Sequence, residues 1–229
     1  MEQFVSLIAK FIAVVFVLSL HEFAHAFVAY KCGDPTAKWA GRMTLNPMAH
    51  FDPVGLVTFA LVGFGWAKPV PVNPGNFKKP KLGSFLTSGA GIMVNYLSAF
   101  LLYPLYLLAL MFFFNSFPQT TLGHVFLYEL TYFLFAYSMS FCVFNLLPLY
   151  PLDGFRLVDS LNKKHGKVYC FLRDYGYRIL MALIAVSIVV EILSPFAPVL
   201  VYFDLLGYVM NFATGIFGWP ISAFWNLIF

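Results

Sequence analysis

Phe11-Ile12-Ala13-Val14-Val15-Phe16-Val17-Leu18-Ser19-Leu20 runs without a charge straight into His21-Glu22-Phe23-Ala24-His25. The apolar stretch extends from about Phe4 to Tyr30, long enough to span a bilayer as a tilted helix. Three ionisable groups inside such a span are costly unless they pair or coordinate. Residues four apart share a helical face, so both imidazoles can point at one ion. Glu22 stands about 100° further round the helix, where its carboxylate can reach water held by that ion. The chain around this segment is built for a membrane. Of its 229 residues, 61% are hydrophobic, 20% aromatic and only 10% charged, and its mean hydropathy is +0.80. Soluble domains carry about 25% charged residues, so a water-soluble globule is excluded. Disorder is excluded because the chain is too apolar to stay solvated.

Working outward, Met1–Lys10 lacks the basic start and cleavage site of a signal peptide, so the first helix is expected to be retained. Cys32-Gly33-Asp34-Pro35 should stop it. Trp39–Leu45, broken by Gly41, reads as a short β-hairpin or edge strand. Phe51–Trp66 is apolar but holds Pro53, Gly55, Gly63 and Gly65, which suits a re-entrant or interfacial element. Further spans are expected at about 84–114, 124–147 and 176–193. Val199–Phe229 adds one or two more, or one span and a Trp-rich interfacial end. The predicted fold is therefore an all-α polytopic membrane protein of five to six membrane segments. It forms a single domain over residues 1–229, with the motifs in 18–156 and C-terminal membrane segments in 176–229.

The placement of charge orients this bundle. Of fourteen Lys and Arg, seven fall between Lys31 and Lys81 and six between Arg156 and Arg178, whereas Asn115–His124 has none. The positive-inside rule puts both clusters in the cytoplasm and the 115–124 loop outside. Neither cluster resembles a nucleic-acid-binding run. Cys32, Cys142 and Cys170 lack CxxC spacing and read as free thiols.

Two imidazoles do not complete a catalytic zinc site, which usually takes three protein ligands and leaves one position open. Asp153, in Asn145-Leu146-Leu147-Pro148-Leu149-Tyr150-Pro151-Leu152-Asp153-Gly154, falls at the cytoplasmic end of the third span, at the depth of His21 and His25. A plain Asp-Gly turn is the alternative there. Glu129 and Glu191 are rival carboxylates, but the topology places both toward the outer side. His50 lies near the re-entrant stretch and could line the site. His124 and His165 fall in connections.

Four motifs occur in order: HEFAH; Gly41-Arg42-Met43-Thr44-Leu45-Asn46-Pro47 with His50-Phe51-Asp52-Pro53-Val54-Gly55; Gly65-Trp66-Ala67-Lys68-Pro69-Val70-Pro71-Val72; and NLLPLYPLDG. Together they resemble the site-2 protease family of intramembrane zinc metalloproteases, in its small prokaryotic form without PDZ or nucleotide-binding regulatory domains. The resemblance implies one Zn²⁺ per chain held by His21, His25 and Asp153, with Glu22 as general base and acid. It implies Asn145 as a donor to the substrate or the developing oxyanion. The family's AGPxxN pattern reads Ala90-Gly91-Ile92-Met93-Val94-Asn95 here, with Ile92 in place of Pro and Asn95 kept. Asn95 is expected to contact substrate, as are Arg42, Met43, Thr44 and Leu45 if the 39–45 strand holds an unwound peptide by strand addition.

The function so implied is hydrolysis of peptide bonds in or near transmembrane segments of single-pass membrane proteins or signal-peptide remnants. The setting would be a prokaryotic cytoplasmic membrane, with the lipid bilayer as partner and the active site toward the cytoplasm. A membrane metal-binding scaffold or transporter is the alternative. That reading would require further ligands at successive depths or related halves.

Overall fold

A computed structural model describes residues 1–55, 58, 65–116, 121–162 and 164–229. The helices used here are α1 (Glu2–Lys31), α2 (Thr36–Trp39), α3 (Pro80–Asn115), α4 (Leu122–Leu146), α5 (Asp153–Leu161), α6 (Lys167–Leu193) and α7 (Leu205–Trp225). Among the described residues, α1, α3, α4 and α6 are long and apolar enough to cross a membrane. The expected five to six spans are thus not supported. The shortfall lies at the C-terminal end, where α7 is diluted by Asn211, Thr214, three glycines and Pro220. It is preceded by a 3-10 turn, Pro198–Phe203. The expected fourth span begins earlier than its apolar run, because α6 continues back through Arg173 and Arg178 to Lys167.

The β-hairpin after the first helix is also absent, and no sheet occurs among the described residues. Two helix-stopping turns take its place. Beyond α1, Asp34 N–H donates to the Ala29 carbonyl and Gly33 N–H to that of Tyr30. Beyond α2, Arg42 N–H donates to Ala37 and Gly41 N–H to Lys38 in the same way. Each is the paired closure of a helix that ends on glycine. Of Trp39–Leu45, only Trp39 belongs to the short helix, and the residues from Ala40 to Leu45 form turn and bend, with Ala37 buried beneath the helix. The only ladder contact among the described residues is an isolated antiparallel bridge between Phe51 and Ala67. Half of the predicted re-entrant stretch, residues 56, 57 and 59–64, lies outside the described residues.

α1, α3 and α4 pack against one another as the centre of the bundle. Ala99, Met139 and Ile221 are fully buried where α3, α4 and α7 meet, with Tyr103, Phe135 and Trp225 packed around them. A second small core, Ala26, Ala37 and Val70, seats the α2 turn and the 66–72 segment on α1. The end of α1, the start of α3, the end of α4 and the start of α6 share one end of the bundle. Among the described residues, twelve of the thirteen Lys and Arg cluster in the connections and helix ends there, Lys10 being the exception.

Candidate metal centre

α1 supplies His21, Glu22 and His25, all buried. The face they share meets α3, whose Thr87, Gly91 and Asn95 follow one another at four-residue spacing and are buried as well. Gly91 permits the approach: a Cβ there would lie 2.4 Å from His21 Cε1 and 2.5 Å from His25 Nε2. Only a residue without a side chain lets two helices close to this distance.

Asp153 arrives from the far side as the first residue of α5. A carboxylate is favoured there by the unpaired N–H groups of the helix start. Gly154 brings that helix start against the end of α4, since a Cβ would lie 2.3 Å from the Leu146 carbonyl oxygen. Burial pushes the Asp153 carboxyl up, but the facing His25 and His21 outweigh it and hold the group below the usual carboxylate range.

The three donor atoms make a tight triangle. His21 Nε2 and His25 Nε2 are 3.0 Å apart, and Asp153 Oδ2 is 3.0 Å from His25 Nε2 and 3.3 Å from His21 Nε2. Ligands about 2.0–2.1 Å from a tetrahedral zinc stand roughly 3.3 Å from one another, so the triangle has the size such an ion requires. Asp153 Oδ2 is buried without a hydrogen bond of acceptable geometry, which leaves its lone pair directed into the triangle. His25 Nδ1 lies 2.7 Å from the Thr87 carbonyl oxygen. A carbonyl only accepts, so the ring proton is on Nδ1 and Nε2 keeps its lone pair for a cation. These residues fit a zinc ion. Among the described residues, they are the one group of His, Cys, Asp and Glu side chains able to do so.

Glu22 is held at the edge of this centre, where its Oε2 accepts the Val70 N–H at 2.9 Å. That bond ties Glu22 to the irregular 66–76 segment, which is secured at several points. Lys68 N–H donates to the His50 carbonyl at 2.8 Å, and the Arg42 guanidinium donates to the Lys68 carbonyl. Asp34, fully buried, accepts from Asn73 N–H at 2.7 Å and from the Asn76 amide at 2.9 Å.

The other expected site residues have mixed positions. Asn145 donates from its amide to the Phe141 carbonyl one turn back in α4, at 3.1 Å. Arg42 is buried against the 66–72 segment, and Met43 packs on the Ala26–Val70 core. The Thr44 carbonyl accepts from His50 Nε2 at 2.8 Å. Leu45 is exposed. Asn95 faces His21, with Nδ2 and Nδ1 3.0 Å apart. Asp34 and Thr87 were not singled out by the sequence. Asp34 could have been noticed as one of only two acids, with Asp52, in the basic connection between Lys31 and Lys81. Thr87 works through its backbone, which leaves no signature beyond its register with Gly91 and Asn95.

An HExxH pair on an apolar helix, joined by a remote aspartate at one end of a membrane bundle, defines a zinc metalloendopeptidase of the site-2 protease type. The chain belongs to Peptidase family M50, whose family model matches residues 9–187. It is 43% identical over 153 residues to YwhC of Bacillus subtilis (strain 168), covering 66% of this chain and 67% of that protein. It is 28% identical over 173 residues to Rip2 of Mycolicibacterium smegmatis (strain ATCC 700084 / mc(2)155), covering 73% of this chain and 62% of that protein. Both relatives are named as zinc metalloproteases. No solved structure is a significant match.

Proposed function

We propose that this chain is a single-domain intramembrane protease over residues 1–229. It cuts peptide bonds in or near transmembrane segments of single-pass proteins or signal-peptide remnants. The observation that carries the reading is the buried triangle of His21, His25 and Asp153 donors with Glu22 beside it, at the basic end of an apolar bundle. The three residues hold one zinc, and the positive-inside rule puts the centre toward the cytoplasm, where water has a short way in. An apolar cavity of about 350 Å³ supports a lipid-depth substrate. Its walls include Leu18, one turn before His21, and Phe144, next to Asn145.

When bound, zinc supplies a Lewis acid that acidifies water and polarises the scissile carbonyl. Glu22 takes the proton of the attacking water and passes it to the leaving amine. The Val70 N–H holds the Glu22 carboxylate in place and leaves its other oxygen for that transfer. Asn145 has a second amide N–H beyond the one given to Phe141, and that N–H serves the developing oxyanion. The transporter reading gains no second ligand cluster among the described residues.

The test is purification in detergent, metal analysis and cleavage of a panel of transmembrane peptides. Glu22→Gln should keep zinc and lose cleavage by about 10²–10⁴-fold, the range for general acid–base groups. Asp153→Ala should lose zinc as well as cleavage. Cleavage at the wild-type rate by Glu22→Gln would refute the mechanism.

A further inference from the structure

His25 and His21 must solve the same problem, and the structure shows the solution for one of them. To offer Nε2 to a cation, a neutral imidazole must carry its proton on Nδ1. The Thr87 carbonyl enforces this on His25 at 2.7 Å. For His21 the corresponding partner is the Asn95 side chain, fully buried on the same face of α3, two turns further on.

An amide has two ends of nearly equal shape and opposite character. With Nδ2 toward His21 Nδ1, the amide donates, the ring proton is driven onto Nε2, and Nε2 is lost as a ligand. With Oδ1 toward it, the amide accepts from Nδ1–H and Nε2 is released. The far atom of the amide, Oδ1 as placed, is buried without a hydrogen-bond partner. No donor on that side therefore holds the amide with its nitrogen toward the ring. Gly91, one turn earlier, makes room for the ring beside Asn95, since a Cβ there would lie 2.4 Å from His21 Cε1 and 2.7 Å from its Nδ1.

We infer that Asn95 is a positioning residue for the metal centre. Its Oδ1 accepts from His21 Nδ1–H and fixes the tautomer that frees Nε2. The inference rests on His21 being a metal ligand, as proposed above. It assigns Asn95 to the support of the ligand rather than to contact with substrate. α3 then sets both imidazoles by two different devices, a backbone carbonyl for His25 and a side-chain carbonyl for His21.

The experiment uses the zinc-loaded full chain in detergent, with zinc affinity read by chelator competition and the ring N–H protons by NMR on ¹⁵N-histidine-labelled protein. Asn95→Leu should bind zinc about 10- to 100-fold more weakly, the usual cost of losing such a support. Asn95→Asp, an acceptor only, should bind at least as tightly as wild type. The wild-type spectrum should contain an exchange-protected, downfield Nδ1–H resonance for His21, kept in Asn95→Asp and moved in Asn95→Leu. A folded Asn95→Asp that binds as weakly as Asn95→Leu would overturn the inference. So would wild-type affinity in Asn95→Leu. If Asn95→Leu does not fold, the wild-type spectrum still decides, since absence of a protected His21 Nδ1–H refutes the acceptor role. His21→Ala separates the two ideas. Zinc lost there but kept in Asn95→Leu removes only the role of Asn95, whereas zinc kept in His21→Ala removes the ligand assignment beneath it.

Discussion

The two halves of α3 do opposite jobs with opposite residues. From Gly83 to Asn95 the buried positions are Gly83, Thr87, Ser88, Gly91 and Asn95, small or polar in every case. From Leu101 to Asn115 the same helix is nearly all large and apolar, and Tyr103 and Tyr106 meet Phe135 on α4 with ring centroids 5.0 and 6.2 Å apart. Large rings fill space and tolerate small shifts, since offset and edge contacts are similar in energy. The inner half has no such latitude, because the backbone of α3 lies against two imidazoles whose nitrogens must converge on a point. The site is positioned by a short distance between helices that the small residues set locally, whereas the outer half holds the bundle together by bulk.

The strongest attempt to break this contrast is Gly91→Ala. The added Cβ would lie 2.4–2.7 Å from three atoms of His21 and His25, so the rings must move or the helices part. A displacement near 1 Å can cost about 10²-fold in turnover, and zinc binding should fall with it. Metal analysis and peptide cleavage on the purified variant measure both. Unchanged zinc and cleavage would mean that the small stripe on α3 is not what places the histidines.

How much of this was readable beforehand depends on where each signal resides. HExxH carries its own geometry, so His21, Glu22 and His25 were legible from spacing alone. Asp153 was legible because the charge distribution put it at the same depth as the histidines. The partnership between Asn95 and His21 was not, since the motif around Asn95 says that an amide is present without saying what it faces. The hairpin was misread for a physical reason. Alternation over a few residues cannot be told from a short helix closed by glycine, and Gly41, which reads as a break within a strand, is the stop of that helix. The further C-terminal spans are not supported because Asn211, three glycines and Pro220 dilute the apolar run of α7.

A smaller effect is expected at Asp34, which clamps the loop side of the site rather than the helix side. Burial raises its carboxyl, but hydrogen bonds from Thr36, Asn76 and Asn73 outweigh that and hold it below the ordinary range. Its contribution to stability is therefore complete above the unfolded carboxylate range, near pH 4. It is lost as pH falls through the lower folded value. Asp34→Asn should destabilise the fold by about 1–3 kcal/mol at neutral pH, as when a buried charged acceptor is lost. The difference from wild type should shrink on acidification. Thermal unfolding in detergent from pH 7 downward is the check. Cleavage should fall with zinc retained, because the clamp acts on the Glu22 side through the 70–76 segment.

The smallest effect should come from Phe135→Leu in the outer half. Phe135 touches Tyr103 and Tyr106, so trimming it removes aromatic contacts and leaves a modest void. Such changes cost about 1–2 kcal/mol when neighbours can relax. Flexible contacts between large side chains should absorb the change before it reaches Gly91, more than three helical turns from Tyr103. Unfolding temperature should drop slightly, with zinc affinity and cleavage at wild-type values. A loss of zinc on this substitution would mean that the two halves of α3 are mechanically one, and that the spacing at the metal centre is set from the outer end of the bundle.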